Sequence, residues 1–214
     1  MFPLSFEPVE LTIYEVKQMM LDLDTDPLKN SGVRVVMPVG DGSSGIMLIG
    51  EAPGEKEDTV GEPFVGASGK FLNGILLPSV DLTRKNIYLT NIVKCRPPAN
   101  RDPTEEEKNA WSLVLIAEIM AIKPQLIVCL GRHSMGFFLP EAKISQIHGQ
   151  VQNVTLTPSL SIPVLALYHP AAALYNPGLR QTLEKDFLEI EQHIRRPESY
   201  RPKPKNQQDI QGLF

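Results

Sequence analysis

A chain of 214 residues with 42% apolar content fits one large domain, or one domain with tails. Its formal net charge of −4 gives no general attraction for a polyanion, so any nucleic-acid contact must come from a local basic patch. The two cysteines, Cys95 and Cys129, exclude a disulfide framework and suit a reducing cytosol, and no apolar run approaches the length of a membrane span. The opening residues MFPLSFEPVE have neither a basic nor an apolar leader region, so no signal peptide is expected. The expected location is the cytoplasm, in association with the nucleoid.

Val9–Leu23 carries apolar residues at helical spacing. Ile46–Ile49 is the first of four short, β-branched-rich runs of strand length; the others are Ile87–Val93, Leu126–Leu130 and Ile162–Tyr168. Between them lie helical patterns: SGKFLNGILLPSV, then a helix opened by DPTEEE, then RHSMGFFLP. In DPTEEE, Asp102 is the expected N-cap, with Pro103 at N1 and Glu105 at N3. That helix is expected to run through Trp111 to about Ala121, before Pro124. LRQTLEKDFLEIEQHI gives a long amphipathic helix. Strands alternating with helices predict an α/β fold with a mostly parallel sheet covered on both faces.

All four strands end in polar or glycine-bearing turns: GEAPG, TNIVKCRPP, GRHS and YHPAAALYNP. In a parallel sheet these ends converge, which is where open α/β sheets bind ligands. One cleft is then expected to hold Glu51, Glu57, Phe64, Asn91 and His169. The set offers carboxylates for water, an aromatic face for stacking, an amide for reading a base edge and an imidazole for a developing anion.

GEAPGEKEDTVGEPFVGASGKFL, LTNIVKCRPPANRDPTEEE and YHPAAALYNP, in this order, resemble the uracil-DNA glycosylase superfamily, above all its family four, the iron–sulfur type of archaea and bacteria. The resemblance covers about Val35 to Ile190 and implies a three-layer α/β/α sandwich around a four-stranded parallel sheet. It implies that Phe64 stacks on a flipped base, that Asn91 pairs with uracil O4 and N3–H, and that His169 donates to O2 and stabilises the leaving anion. Gly50 and Ala52 flank Glu51 and would let backbone N–H groups approach the base. Glu51 and Glu57 take the two glutamates of the first motif; Glu57 is read as the one for water and Glu51 as shaping the turn. Lys94, Arg96 and Arg101 surround a rigid proline pair and are read as phosphate contacts. Leu174, Tyr175 and Asn176 occupy the loop that enters the helix, with Leu174 or Tyr175 as the wedge. Many relatives carry an arginine near Tyr175, which this chain lacks.

The resemblance also implies a [4Fe–4S] cluster on four cysteines, two before the first strand, one in KCRPP and one in the following helix. Only Cys95 stands at such a position, and one thiolate cannot hold a cubane. No cluster is expected; apolar packing by Trp111 is expected in its place.

Residues 1–194 are read as the glycosylase-like domain and 195–214 as a proline- and lysine-rich flexible tether too poor in apolar residues to join a core. Its last eight residues, QQDIQGLF, resemble the PCNA-type sliding-clamp peptide, with Gln207, Ile210, Leu213 and Phe214 as contacts. The expected partners are uracil-containing DNA and a sliding clamp, with no membrane and a monomeric state. GASGK lacks the P-loop spacing, and a catalytically weak damage sensor or a clamp-bound scaffold are the competing readings.

Overall fold

Alternation along the apolar runs dictates the layers. In β1 (Ile46–Gly50), Met47 and Ile49 join one core, while Ile46 and Leu48 join another on the opposite face, and all four are fully buried. A strand with two buried faces requires cover on both sides. In the computed structural model, which describes residues 11–157 and 160–194, helices supply it.

One face is covered by α1 (Ile13–Asp22) and later helices. Thr12 caps α1 in a reciprocal box with Glu15, and Val16 and Met20 turn inward. The short α2 (Pro27–Asn30) follows, with Asp26 as its N-cap. After β1 come α3 (Glu55–Val60) and α4 (Ala67–Phe71), the latter running through a π turn at Leu72–Leu76 into α5 (Leu77–Ser79). Phe71, Leu72, Leu76 and Leu77 from this segment form the second core.

β2 (Tyr88–Asn91) leads to α6 (Glu105–Ile122), whose Trp111, Val114 and Leu115 return to the first core. Its cap departs from the sequence expectation: Thr104, not Asp102, is the N-cap, and Glu107, not Glu105, closes the box. Glu107 wins because it also takes two bonds from Arg101. Asp102 is thereby left free of the helix.

β3 (Leu126–Leu130) precedes α7 (Arg132–Phe138) and α8 (Ile144–Ile147). Then β4 (Val151–Thr157) and β5 (Leu160–Leu167) form an antiparallel pair, followed by α9 (Pro170–Tyr175) and α10 (Pro177–Phe187). The sheet order is β2-β1-β3-β5-β4, with the first four strands parallel. The expected four-stranded sheet is therefore corrected to a five-stranded mixed one. VQNVTLT escapes a search for apolar runs because an edge strand needs only every second residue covered, and Val151 to Leu156 alternate between exposed and half-buried.

The chain leaves β1 toward the α4–α5 face and leaves β3 toward the α7 face. Their carboxyl ends, side by side, make the crevice.

Candidate active site

Gly50 ends β1 on the floor of the crevice. A Cβ there would lie 2.3 Å from Asn91 Oδ1 and 2.6 Å from Phe64 Cζ, so the missing side chain is what admits both. Asn91 ends β2 in register with Gly50, which fixes its approach. The Phe64 ring lies 5.8 Å from the His169 ring, centroid to centroid. Gly50, Phe64, Asn91 and His169 are thus brought together from four separate segments.

His169 is the N-cap of α9, and its Nδ1 accepts the Ala171 N–H at 3.1 Å. With that lone pair occupied, the proton of the neutral ring resides on Nε2, which becomes a donor. Burial pushes the imidazole down to about 4, opposed by the charge of Glu57. At neutral pH the site therefore presents a neutral N–H donor.

Phe64 has φ 53, a left-handed backbone that a phenylalanine adopts only under constraint. Its carbonyl accepts from Asn73 Nδ2 at 3.1 Å and Arg84 Nη1 at 3.2 Å. The next two N–H groups, of Val65 and Gly66, donate to Glu57 Oε1 at 2.8 and 2.7 Å. Glu57 is buried and cradled by Gly54 and Gly66. One of its oxygens is committed to holding the Phe64 loop.

Glu51 follows Gly50 and is only half-buried, with Ala52 beside it equally accessible. Burial pushes its carboxyl up; His133, Arg132 and Lys108 oppose this, and Asp102 adds to it. His133 was not among the residues singled out from the sequence. It lies one turn past β3, where GRHS was visible as a polar strand end. Among the described residues, Glu51, Asp102 and His133 are the one trio with ligand-type atoms all within 4.8 Å. Arg132 Nη2 also bonds Asp102 at 2.8 Å, so a protein cation already takes one of the carboxylates.

The residues read as DNA contacts divide. Lys94 is corrected outright: its side chain is 1% exposed, and Nζ donates to Thr90 Oγ1, the Asn91 carbonyl and Glu118 Oε2 at 2.5–2.7 Å. A buried ammonium cannot reach a phosphate. Arg96 is half-buried and donates to Asn100 Oδ1, while Arg101 stays partly exposed with its guanidinium on Glu107. Leu174 and Tyr175 project at the end of α9, 40% and 88% exposed. Asn176 spends its Oδ1 capping α10. Gln207, Ile210, Leu213 and Phe214 lie outside the described residues.

Cys95 is the one cysteine that the resemblance puts at a cluster position, and its neighbours are protein groups. Cys95 is fully buried, and its thiol is pushed up by burial and then by Asp26, which opposes the thiolate a metal ligand must be. Asp26 Oδ2 accepts the Trp111 indole N–H at 2.7 Å, and Oδ1 caps α2. Cys129 sits inside β3. These residues do not fit a four-thiolate group. The surroundings of Cys95 also depart from the expected apolar packing, because Trp111 brings a buried carboxylate with it.

Parallel strands whose ends open on a polar crevice, holding an amide, an aromatic ring and a neutral imidazole, define an α/β protein with a site for a planar polar ligand. The chain belongs to the uracil DNA glycosylase superfamily, whose family model matches residues 37–195. It is 44% identical to the type-4 uracil-DNA glycosylase of Archaeoglobus fulgidus over 168 residues, covering 76% of this chain and 83% of that protein. It is 43% identical to the type-4 enzyme of Saccharolobus solfataricus, covering 72% and 74%, and 36% identical to that of Thermotoga maritima, covering 79% and 88%.

Proposed function

We propose that this chain hydrolyses the N-glycosidic bond of uracil in DNA, as a base-excision repair enzyme. The observation that carries the reading is the meeting of Asn91 and Phe64 over the bare Gly50, with the His169 ring against Phe64 and presenting an N–H. Asn91 offers an acceptor to N3–H and a donor to O4, a pattern cytosine does not match. Phe64 gives the extruded base a stacking face. As the C1′–N1 bond breaks, its electron pair moves onto the base, and the His169 Nε2–H donates to O2 of the forming anion. The neutral donor stabilises that anion without giving up its proton.

Water must bond to C1′ and lose a proton. We assign this to Glu51 rather than Glu57, because one Glu57 oxygen is taken by Val65 and Gly66 whereas Glu51 is solvent-accessible. Glu57 then shapes the Phe64 loop, the reverse of the roles read from the sequence. Glu51→Gln should lower single-turnover excision by about 10²-fold or more, while Glu57→Gln, which keeps an acceptor, should stay near the parent. A loss in Glu57→Gln with Glu51→Gln near the parent would reverse the assignment, and equal losses would refute the division of roles.

Arg96 and Arg101 are the phosphate contacts, Leu174 or Tyr175 is the wedge, and the enzyme works without an iron–sulfur cluster. Residues 195–214 would tether the protein, as a monomer, to a sliding clamp through Gln207, Ile210, Leu213 and Phe214, on the strength of the QQDIQGLF spacing. Incubation with uracil-containing single- and double-stranded oligonucleotides, followed by alkaline cleavage, tests the activity. Intact strands at high enzyme concentration would refute it. Deletion of 207–214 should abolish clamp capture and leave excision from short oligonucleotides intact; retained capture would refute the tether.

A further inference from the structure

We propose that His133 is a positioning residue for Glu51, supplying through its imidazole the counter-charge that keeps Glu51 and Asp102 together as carboxylates at the mouth of the crevice. The inference rests on the reading of Glu51 as the group that handles water. Its geometric basis is the position of one nitrogen. His133 Nε2 lies 3.2 Å from Asp102 Oδ2 and 3.9 Å from Glu51 Oε1. Two carboxylates this close repel, and a cation between them is the ordinary remedy.

Two cations and one imidazole face the carboxylates. Arg132, from the first turn of α7, bonds Asp102 but is 68% exposed, so solvent screens it. Lys108, from α6, is engaged with Glu105. His133, from α7, has a side chain only 17% exposed and is in direct reach of both carboxylates. Its Nε2 is also 3.0 Å from Arg132 Nε. Unprotonated, Nε2 accepts from Arg132; protonated, it donates to Asp102. The cationic form is the one that helps Glu51.

A carboxyl whose pKa is raised holds its proton to higher pH, so a rate that needs the Glu51 carboxylate falls as pH drops through that value. Removing a cation raises it further and moves the acid limb upward. A unit charge about 4 Å away in a half-wet site is worth roughly one pH unit of displacement.

The experiment is the pH profile of single-turnover uracil excision from a single-stranded oligonucleotide by the full chain and its His133→Gln, His133→Lys and Glu51→Gln variants. His133→Gln should move the acid midpoint up by about one pH unit, with a plateau rate within a few-fold of the parent. His133→Lys, which restores charge, should bring the midpoint back. Superimposable profiles for parent and His133→Gln, beside a Glu51→Gln variant that has lost excision, overturn the role of His133 and leave Glu51 standing. Full excision by Glu51→Gln overturns the reading of Glu51 and the proposal with it. Should His133→Gln fail to fold, His133→Phe carries the same expectation.

Discussion

Replacement of Lys94 by methionine separates two roles that a sequence cannot distinguish. If Lys94 gripped phosphate, its loss would weaken DNA binding and leave stability alone. The structure gives the opposite expectation. Lys94 and Glu118 form an ion pair at 2.6 Å with side chains 1% and 0% exposed, and Tyr88 Oη donates to the second Glu118 oxygen at 3.0 Å. Burial pushes the Lys94 ammonium down, opposed by Glu118, while burial and Glu118 together hold the Tyr88 phenol protonated. Lys94→Met leaves Glu118 charged and buried with one neutral donor, a situation that costs about 3–5 kcal/mol. Lys94→Met/Glu118→Leu removes both charges, and about 1 kcal/mol or less should separate it from the parent. Urea unfolding of the parent, both single variants and the double variant gives the coupling directly. The salt dependence of binding to a short duplex supplies the contrast. Arg96→Ala should flatten the slope of log K against log salt by about 0.9, and the Lys94 variants should not change it. A Lys94→Met protein as stable as the parent, with a flattened slope, would show that this lysine faces DNA and that the buried network is wrong.

Three further outcomes follow from single contacts. Gly50→Ala places a Cβ 2.3 Å from Asn91 Oδ1, and should cost about 10²-fold in kcat/KM with 1–3 kcal/mol of stability, checked by steady-state excision and thermal melting. Because His169 is held down near 4, the unfolded chain binds more protons than the folded one between that value and the ordinary 6.5. Stability should therefore be complete above 6.5 and fall by on the order of 2–3 kcal/mol as pH drops to 4, a loss absent from the His169 share in His169→Gln and measurable by denaturation at each pH. Trp111→Phe removes the indole donor from buried Asp26, and should lower the unfolding free energy by about 1–3 kcal/mol, with excision preserved in the folded fraction.

What the sequence made legible follows from burial. Strands of a parallel sheet are apolar throughout, so β1, β2, β3 and β5 stand out, and the polar residues that break those runs are the ones the crevice collects. Side-chain direction was not legible. Lys94 beside Arg96 and two prolines reads as a basic loop until Glu118, 24 residues on, is seen beneath it. A signal existed: Glu118 interrupts the apolar stretch from Leu115 to Ile119 on α6, and a carboxylate there needs a partner. The start of α6 was ambiguous for a different reason. Asp102 with Glu105 and Thr104 with Glu107 are overlapping boxes, and the bond from Arg101, six residues away, selects the second. That selection frees Asp102 to meet His133, a contact no local pattern contains.

Under the proposed function, the two glutamates of the first motif divide labour between holding and reacting. Phe64 in a left-handed conformation costs on the order of 1–3 kcal/mol, and four separate features offset it. Glu57 accepts the two N–H groups that follow, Asn73 and Arg84 donate to the carbonyl, and Gly69 leaves the room that a Cβ, 1.9 Å from that carbonyl oxygen, would take. Asn73 reaches Phe64 from within a π turn, and its Oδ1 is the one buried side-chain atom without a partner among the described residues. Strain gathered at one residue and braced from four segments is the signature of a preformed surface. Under the proposed function, the Phe64 stacking face then exists before any base arrives, and extrusion of the nucleotide need only supply unstacking energy. A carboxylate fixed in such a brace is poorly suited to follow a moving proton. The accessible Glu51, in the proposed assignment, is free to do so.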